Sequence, residues 1–158
     1  MTAHEPARLK VGPVELEWLA GALLFSDQES TKPDFEKMLS SLPSVCLLRY
    51  QPGIAAVREG DEGKDFFVVY SGSLSVSKRK KTGRMVRIGR LWPGDFFGEI
   101  SFLMGSRRSA TVRTLEACKL FRFSAAELAK VLSRNKPLEN RMRRLAHERL
   151  EKIFVEGL

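Results

Sequence analysis

Between Val45 and Phe123 the chain switches again and again from a short run of strand-forming residues to a turn, and few folds survive that texture. The runs are Val45 to Tyr50, Ala55 to Val57, Phe66 to Tyr70, Leu74 to Ser77, Met85 to Ile88, Thr111 to Thr114 and Cys118 to Phe123. They are separated by Gln51-Pro52-Gly53, Glu59-Gly60-Asp61-Glu62-Gly63, Ser71-Gly72-Ser73, Thr82-Gly83 and Trp92-Pro93-Gly94-Asp95. Many short strands punctuated by glycine and proline predict an antiparallel roll or barrel rather than a helical bundle. Leu74 and Val76, then Val86 and Ile88, alternate with polar or basic residues across Thr82-Gly83, which predicts a hairpin with one face inward.

Helical signals flank this region. Val14 to Phe25 follows Pro13 and carries Glu15 and Glu17 near its start, which suits a helix. Ser30-Thr31-Lys32-Pro33-Asp34 is a second start signal, with cap-type residues ahead of an early proline and an acid. Phe35, Met38, Leu39 and Leu42 then share one face until Pro43. Downstream, Ser124-Ala125-Ala126-Glu127 is a capping box opening a helix to about Leu132, and Asn135-Lys136-Pro137 breaks it. A last helix from Pro137 to about Val155 puts Leu138, Met142, Leu145, Leu150, Ile153 and Phe154 toward one broad face. The expected organisation is one domain: a flexible tail over 1–12, N-terminal helices over 13–44, a jelly-roll-like β-roll over 45–123, and two C-terminal helices over 124–158.

Within the roll, Phe97 to Val112 concentrates the chemistry. It opens with a glycine beside a carboxylate (Gly98, Glu99), passes a short apolar turn and reaches two adjacent arginines (Arg107, Arg108). A glycine lets a ligand approach the backbone, and an arginine can clamp an anion through its two-pronged guanidinium. A carboxylate acts only as acceptor and suits a hydroxyl on the same ligand. A compact ligand with a phosphate at one edge and a sugar hydroxyl nearby satisfies both groups.

This stretch resembles the phosphate-binding cassette of the cyclic nucleotide-binding domain family, which includes catabolite activator protein, regulatory subunits of cAMP-dependent kinase and cyclic nucleotide-gated channels. Phe97, Gly98, Glu99, Ile100, Leu103, Arg108, Ala110 and Thr111 match the family pattern. The likeness extends from about Phe35 to Leu132 and takes in Gly60, Gly72 and Pro93-Gly94-Asp95. It implies that Arg108 pairs with a cyclic phosphate and Glu99 accepts from the ribose 2′-hydroxyl. It further implies that Gly98, Ile100 and Ser101 lend backbone groups, that Ser109 and Ala110 approach the phosphate, and that Val76 and Ile88 make apolar contacts with base and sugar. Arg107 stands where the family usually has proline, and Ser101 where alanine is usual. Ser109 is compatible with cAMP or cGMP, and cAMP is the expected ligand. One of Arg143 or Arg144 is a candidate lid over the base, while Arg141, Arg143, Arg144, Arg149 and Lys152 otherwise read as a solvated face.

The 158 residues carry a net charge of +8, so anionic partners come into question. The basic run Lys78-Arg79-Lys80-Lys81, with Arg84, Arg87 and Arg90, lacks interleaved aromatics and reads as an exposed hairpin tip rather than a nucleic-acid platform. The alternative function is a ligand-independent module docking an acidic partner or nucleic acid through this hairpin. No secretory signal or membrane span is expected. Cys46 and Cys118 sit in strand-like contexts with no zinc spacing, which favours a reduced cytoplasmic setting. There is no catalytic set, P-loop or metal cluster, so an enzyme and a cofactor are not expected. The sequence reading is thus a stand-alone sensor, monomeric or a homodimer through the last helix, that signals to a partner when that helix moves.

Overall fold

Side-chain alternation along three central strands builds two cores on the two faces of one sheet. The computed structural model describes residues 5–24 and 32–155. The strands are β1 (Ala7–Leu9), β2 (Cys46–Tyr50), β3 (Ala55–Val57), β4 (Phe66–Ser71), β5 (Leu74–Arg79), β6 (Met85–Leu91), β7 (Phe96–Phe97), β8 (Thr111–Thr114) and β9 (Cys118–Phe123). The helices are α1 (Pro13–Leu23), α2 (Lys32–Ser40), α3 (Glu99–Met104), α4 (Ala125–Ser133) and α5 (Lys136–Val155). A five-stranded sheet runs β1-β2-β9-β4-β7 and a four-stranded sheet runs β3-β8-β5-β6, with every pairing antiparallel. The chain is thus mainly β with flanking helices, as the turn-punctuated sequence predicts.

On β4, Phe66 and Val68 face the helices, while Phe67 and Val69 face the interior of the roll. On β9, Phe121 and Phe123 take the helical side, and Cys118 and Leu120 the inner side. The period-two rule therefore places each residue in one core or the other, and a one-residue slip would exchange the two sets. The helical core receives Leu19 and Leu23 of α1, Phe35 and Leu39 of α2, Leu128 and Val131 of α4, and Leu138 and Met142 of α5. This wall fixes where α5 starts, and so where it crosses the roll.

The capping box appears as read. Ser124 Oγ accepts from the Glu127 amide at 3.2 Å, and Glu127 Oε1 accepts from the Ser124 amide at 3.2 Å. Asn135 does more than break the chain. Its Oδ1 accepts from the Leu138 amide at 3.1 Å, capping α5, and its Nδ2 donates to the Leu23 carbonyl at the end of α1 at 3.0 Å. Asn135 is 1% exposed. Asn135→Ala removes a cap and leaves buried backbone groups without partners, a loss of about 2–3 kcal/mol. The expected thermal unfolding midpoint is roughly 5–10 °C lower, and a differential scanning calorimetry trace superimposable on wild type contradicts it.

The structure corrects two expectations and adds a strand. The tail over 1–12 contains β1, which pairs with β2 in the register Ala7↔Arg49 and Leu9↔Leu47. Its three residues are too few to show a period, and tertiary pairing alone makes them a strand. Phe96–Phe97 likewise forms the two-residue β7 against Phe67 and Val68. Phe154 is 84% exposed and leaves the apolar face of α5, on which Leu138, Met142 and Ala146 are buried and Leu145 packs against the same core. Phe25, Ser30 and Thr31, which entered the two N-terminal helix readings, lie outside the described residues.

Candidate ligand-binding site

β7 delivers the chain to Gly98, which caps α3 with φ at +96°. Only glycine fits there. A Cβ would run into the Asp65 carbonyl oxygen and lie 3.2 Å from Arg108 Nη1. A second left-handed glycine, Gly105, ends α3 after six residues and turns the chain back toward β8.

The returning loop is laced to the segment between β3 and β4. The Arg108 amide donates to the Asp61 carbonyl and the Gly60 amide donates to the Arg108 carbonyl, each at 2.9 Å. The Glu59 amide donates to Thr111 Oγ1 at 3.0 Å. Arg107 adds a bond to the Gly60 carbonyl at 3.1 Å and an ion pair with Glu62 at 3.0 Å, both at the surface. The residue standing in place of a proline thus ties this loop through its side chain.

Arg108 itself points inward and is 7% exposed. Its Nη1 is buried without a hydrogen-bond partner. Burial pulls its pKa below the ordinary arginine value, and the charges of Asp65 and Glu99 oppose that pull. A buried cationic donor left open in this way is a strong acceptor-seeking group, since a buried unmade bond is costly and a charge-assisted one is strong. Glu99 is 1% exposed and accepts from Arg149 Nη1 of α5 at 2.5 Å. Arg149 Nη2 donates to the Phe96 carbonyl at 2.8 Å, and its guanidinium carbon lies 5.7 Å from the centre of the Phe96 ring.

Between the roll and α5 lies a cavity of about 520 Å³. All ten sequence-predicted ligand residues line it: Val76 and Ile88 from β5 and β6, then Phe97 through Ser101, and Arg108 through Ala110. Its wall joins apolar side chains to nine charged ones, six of them cationic, which suits a small anionic molecule. Of the two candidate lid residues, Arg144 lines the cavity and Arg143 does not. Arg143 reaches back one turn to Glu139 at 3.0 Å. The solvated-face reading gives way at Arg149, which turns inward to Glu99, and Arg141 and Lys152 of the same set line the cavity with Arg144. A signal was available. Arg149 falls seven residues after Met142, on the helix stripe that carries the buried residues Met142 and Ala146.

The basic hairpin is partly neutralised by its own chain. Lys78 pairs with Glu59 at 3.1 Å, and Arg79 donates to the Gly83 carbonyl at 2.6 Å. Cys46 and Cys118 are free and buried. Among the described residues no group of three or more His, Cys, Asp or Glu could hold a metal ion, and no helix is long and apolar enough to cross a membrane.

A roll of two antiparallel sheets, a left-handed glycine before a short helix, and a buried carboxylate and guanidinium facing one cavity make up a candidate site for a small anionic ligand. The model of the cyclic nucleotide-binding domain matches residues 47–135, more than half of the chain, and the chain belongs to that family. Domains of this family are regulatory binding modules. The chain is 39% identical over 69 residues to a cAMP-dependent protein kinase regulatory subunit of Mycosarcoma maydis, covering 44% of this chain and 13% of that protein. It is 35% identical over 104 residues to the potassium/sodium hyperpolarization-activated cyclic nucleotide-gated channel 3 of Mus musculus, covering 66% of this chain and 13% of the channel. The chain therefore spans about an eighth of the length of these relatives. A cyclic nucleotide-binding domain from Methylobacillus flagellatus superposes with a TM-score of 0.72 at 20% identity, covering 97% of this chain and 85% of that one. The Thermus thermophilus catabolite activator protein superposes with a TM-score of 0.69 at 23% identity, covering 86% and 61%. These two likenesses establish the fold.

Proposed function

We propose that this chain is a cyclic nucleotide receptor, taking cAMP in preference to cGMP, and that its occupancy is read out through helix α5. The observation that carries this reading is the unpartnered, buried Nη1 of Arg108 beside a cavity that also presents Glu99. In this reading Arg108 pairs with the cyclic phosphate, Glu99 accepts from the ribose 2′-hydroxyl, and Val76 and Ile88 contact the base and sugar. The cAMP preference is supported by the name of the fungal relative, a cAMP-dependent kinase regulatory subunit. A role for α5 is supported by its arginine sharing Glu99 with the ligand site, because a ligand that favours one placement of the helix shifts its position. The output then passes to a partner protein or to a second copy, and two free buried cysteines suit a reduced, cytoplasmic setting.

Isothermal titration calorimetry with cAMP, cGMP and 2′-deoxy-cAMP tests the reading. The expected order is cAMP tightest, cGMP weaker, and the deoxy analogue roughly 10- to 100-fold weaker than cAMP, since a hydroxyl-seeking carboxylate would be left without its donor. Absence of heat with every cyclic nucleotide overturns it.

A further inference from the structure

Arg108 and Glu99 are a buried guanidinium and a buried carboxylate on the wall of one cavity, and the charge of Glu99 acts on Arg108. Two such groups in a water-poor site are strongly drawn to pair, because the low dielectric magnifies their attraction and the fork of arginine matches a carboxylate. They do not pair here. Glu99 is turned to Arg149, and Arg108 Nη1 stays without a partner. Among the described residues no hydrogen bond joins Asp65, the other acid acting on Arg108, to it either.

Arg149 is well held for this task. One nitrogen takes Glu99 Oε1, the other takes the Phe96 carbonyl, and the guanidinium lies against the Phe96 ring. It comes from α5, fifty positions along the chain from Glu99, so the pairing depends on the helix being seated. Building on the reading that the cavity takes a cyclic phosphate, we propose that Arg149 is a positioning residue for anion binding: by occupying Glu99 it keeps Arg108 open for the ligand. Without Arg149, Glu99 swings onto Arg108, and an incoming phosphate must displace a carboxylate that is already bonded. The seated helix thus sets the availability of the phosphate clamp without any contact between Arg149 and the phosphate.

This makes an epistatic prediction that a helix latch alone does not. cAMP affinity is measured by calorimetry on the full chain for wild type, Arg149→Gln, Glu99→Gln and the double variant Arg149→Gln/Glu99→Gln, with thermal melts to verify folding. Arg149→Gln removes the charge that holds Glu99, and its shorter side chain gives up the Phe96 carbonyl as well. It is expected to weaken cAMP about 10- to 100-fold. The rescue is read with 2′-deoxy-cAMP, which has no hydroxyl for Glu99, so Glu99→Gln in that background only removes the carboxylate that captures Arg108, and the double variant binds the deoxy analogue at least about tenfold tighter than Arg149→Gln alone. Wild-type affinity in Arg149→Gln, or a further loss of the deoxy analogue in the double variant, overturns the proposal. A crystal structure of ligand-free Arg149→Gln decides the point independently of nucleotide. Glu99 paired with Arg108 supports it, and Glu99 still turned away refutes it. If wild type binds no cyclic nucleotide, the functional reading fails while that crystal structure still judges this one.

Discussion

Titration of Arg108→Ala with cAMP yields an affinity roughly a thousandfold below wild type, about 4 kcal/mol. The size follows from burial. Arg108 is 7% exposed, so in the proposed pairing water does not readily replace the lost charge-assisted bond to the phosphate. Stability moves differently. Burial outweighs the neighbouring acids and works against the charged form of Arg108, so the ligand-free fold gains little from holding it. Arg108→Ala therefore melts no lower than wild type while losing its ligand, the trade expected of a residue kept for binding. Retention of affinity within about tenfold, or a melt depressed along with binding, contradicts the assignment.

Gly98→Ala is expected to cost about 3 kcal/mol of stability and to abolish cAMP binding. A positive φ costs a residue with a Cβ about 1–2 kcal/mol, and the added carbon collides with the Asp65 carbonyl as well. The thermal midpoint falls by roughly 6–12 °C for a chain of this size. Gly53→Ala serves as the control. Gly53 also has positive φ, at +78°, yet nothing lies within 4 Å of its would-be Cβ. Its loss should be about 1 kcal/mol, with cAMP affinity unchanged. Equal losses at the two glycines would show that backbone conformation alone, and not the close approach of Asp65 and Arg108, governs Gly98.

Features encoded by neighbouring residues were legible in the sequence. The Ser124-to-Glu127 box names its helix because the cap bonds span three residues. The roll is legible because each strand is bounded by its own turn. The ten cavity residues were found because most fall in one stretch whose spacing resembles a known cassette. What escaped notice depends on distant partners. β1 is a strand only because Arg49 and Leu47 lie beside it. The helix stripe marks Arg149 as inward-facing, but its partner, a carboxylate fifty positions earlier, has no local signal. Asn135 looked like an interruption because the carbonyl it serves belongs to Leu23, more than a hundred positions away.

The wall between the two cores has a consequence for how this chain can change over generations. β4 and β9 serve the helices with one set of side chains and the roll with the other. Substitutions on the helical side can therefore change how firmly α5 is held while the side chains lining the cavity stay as they are. If the proposed function holds, sensitivity and recognition become separately adjustable traits, and Arg149 is where a lineage would couple or uncouple them.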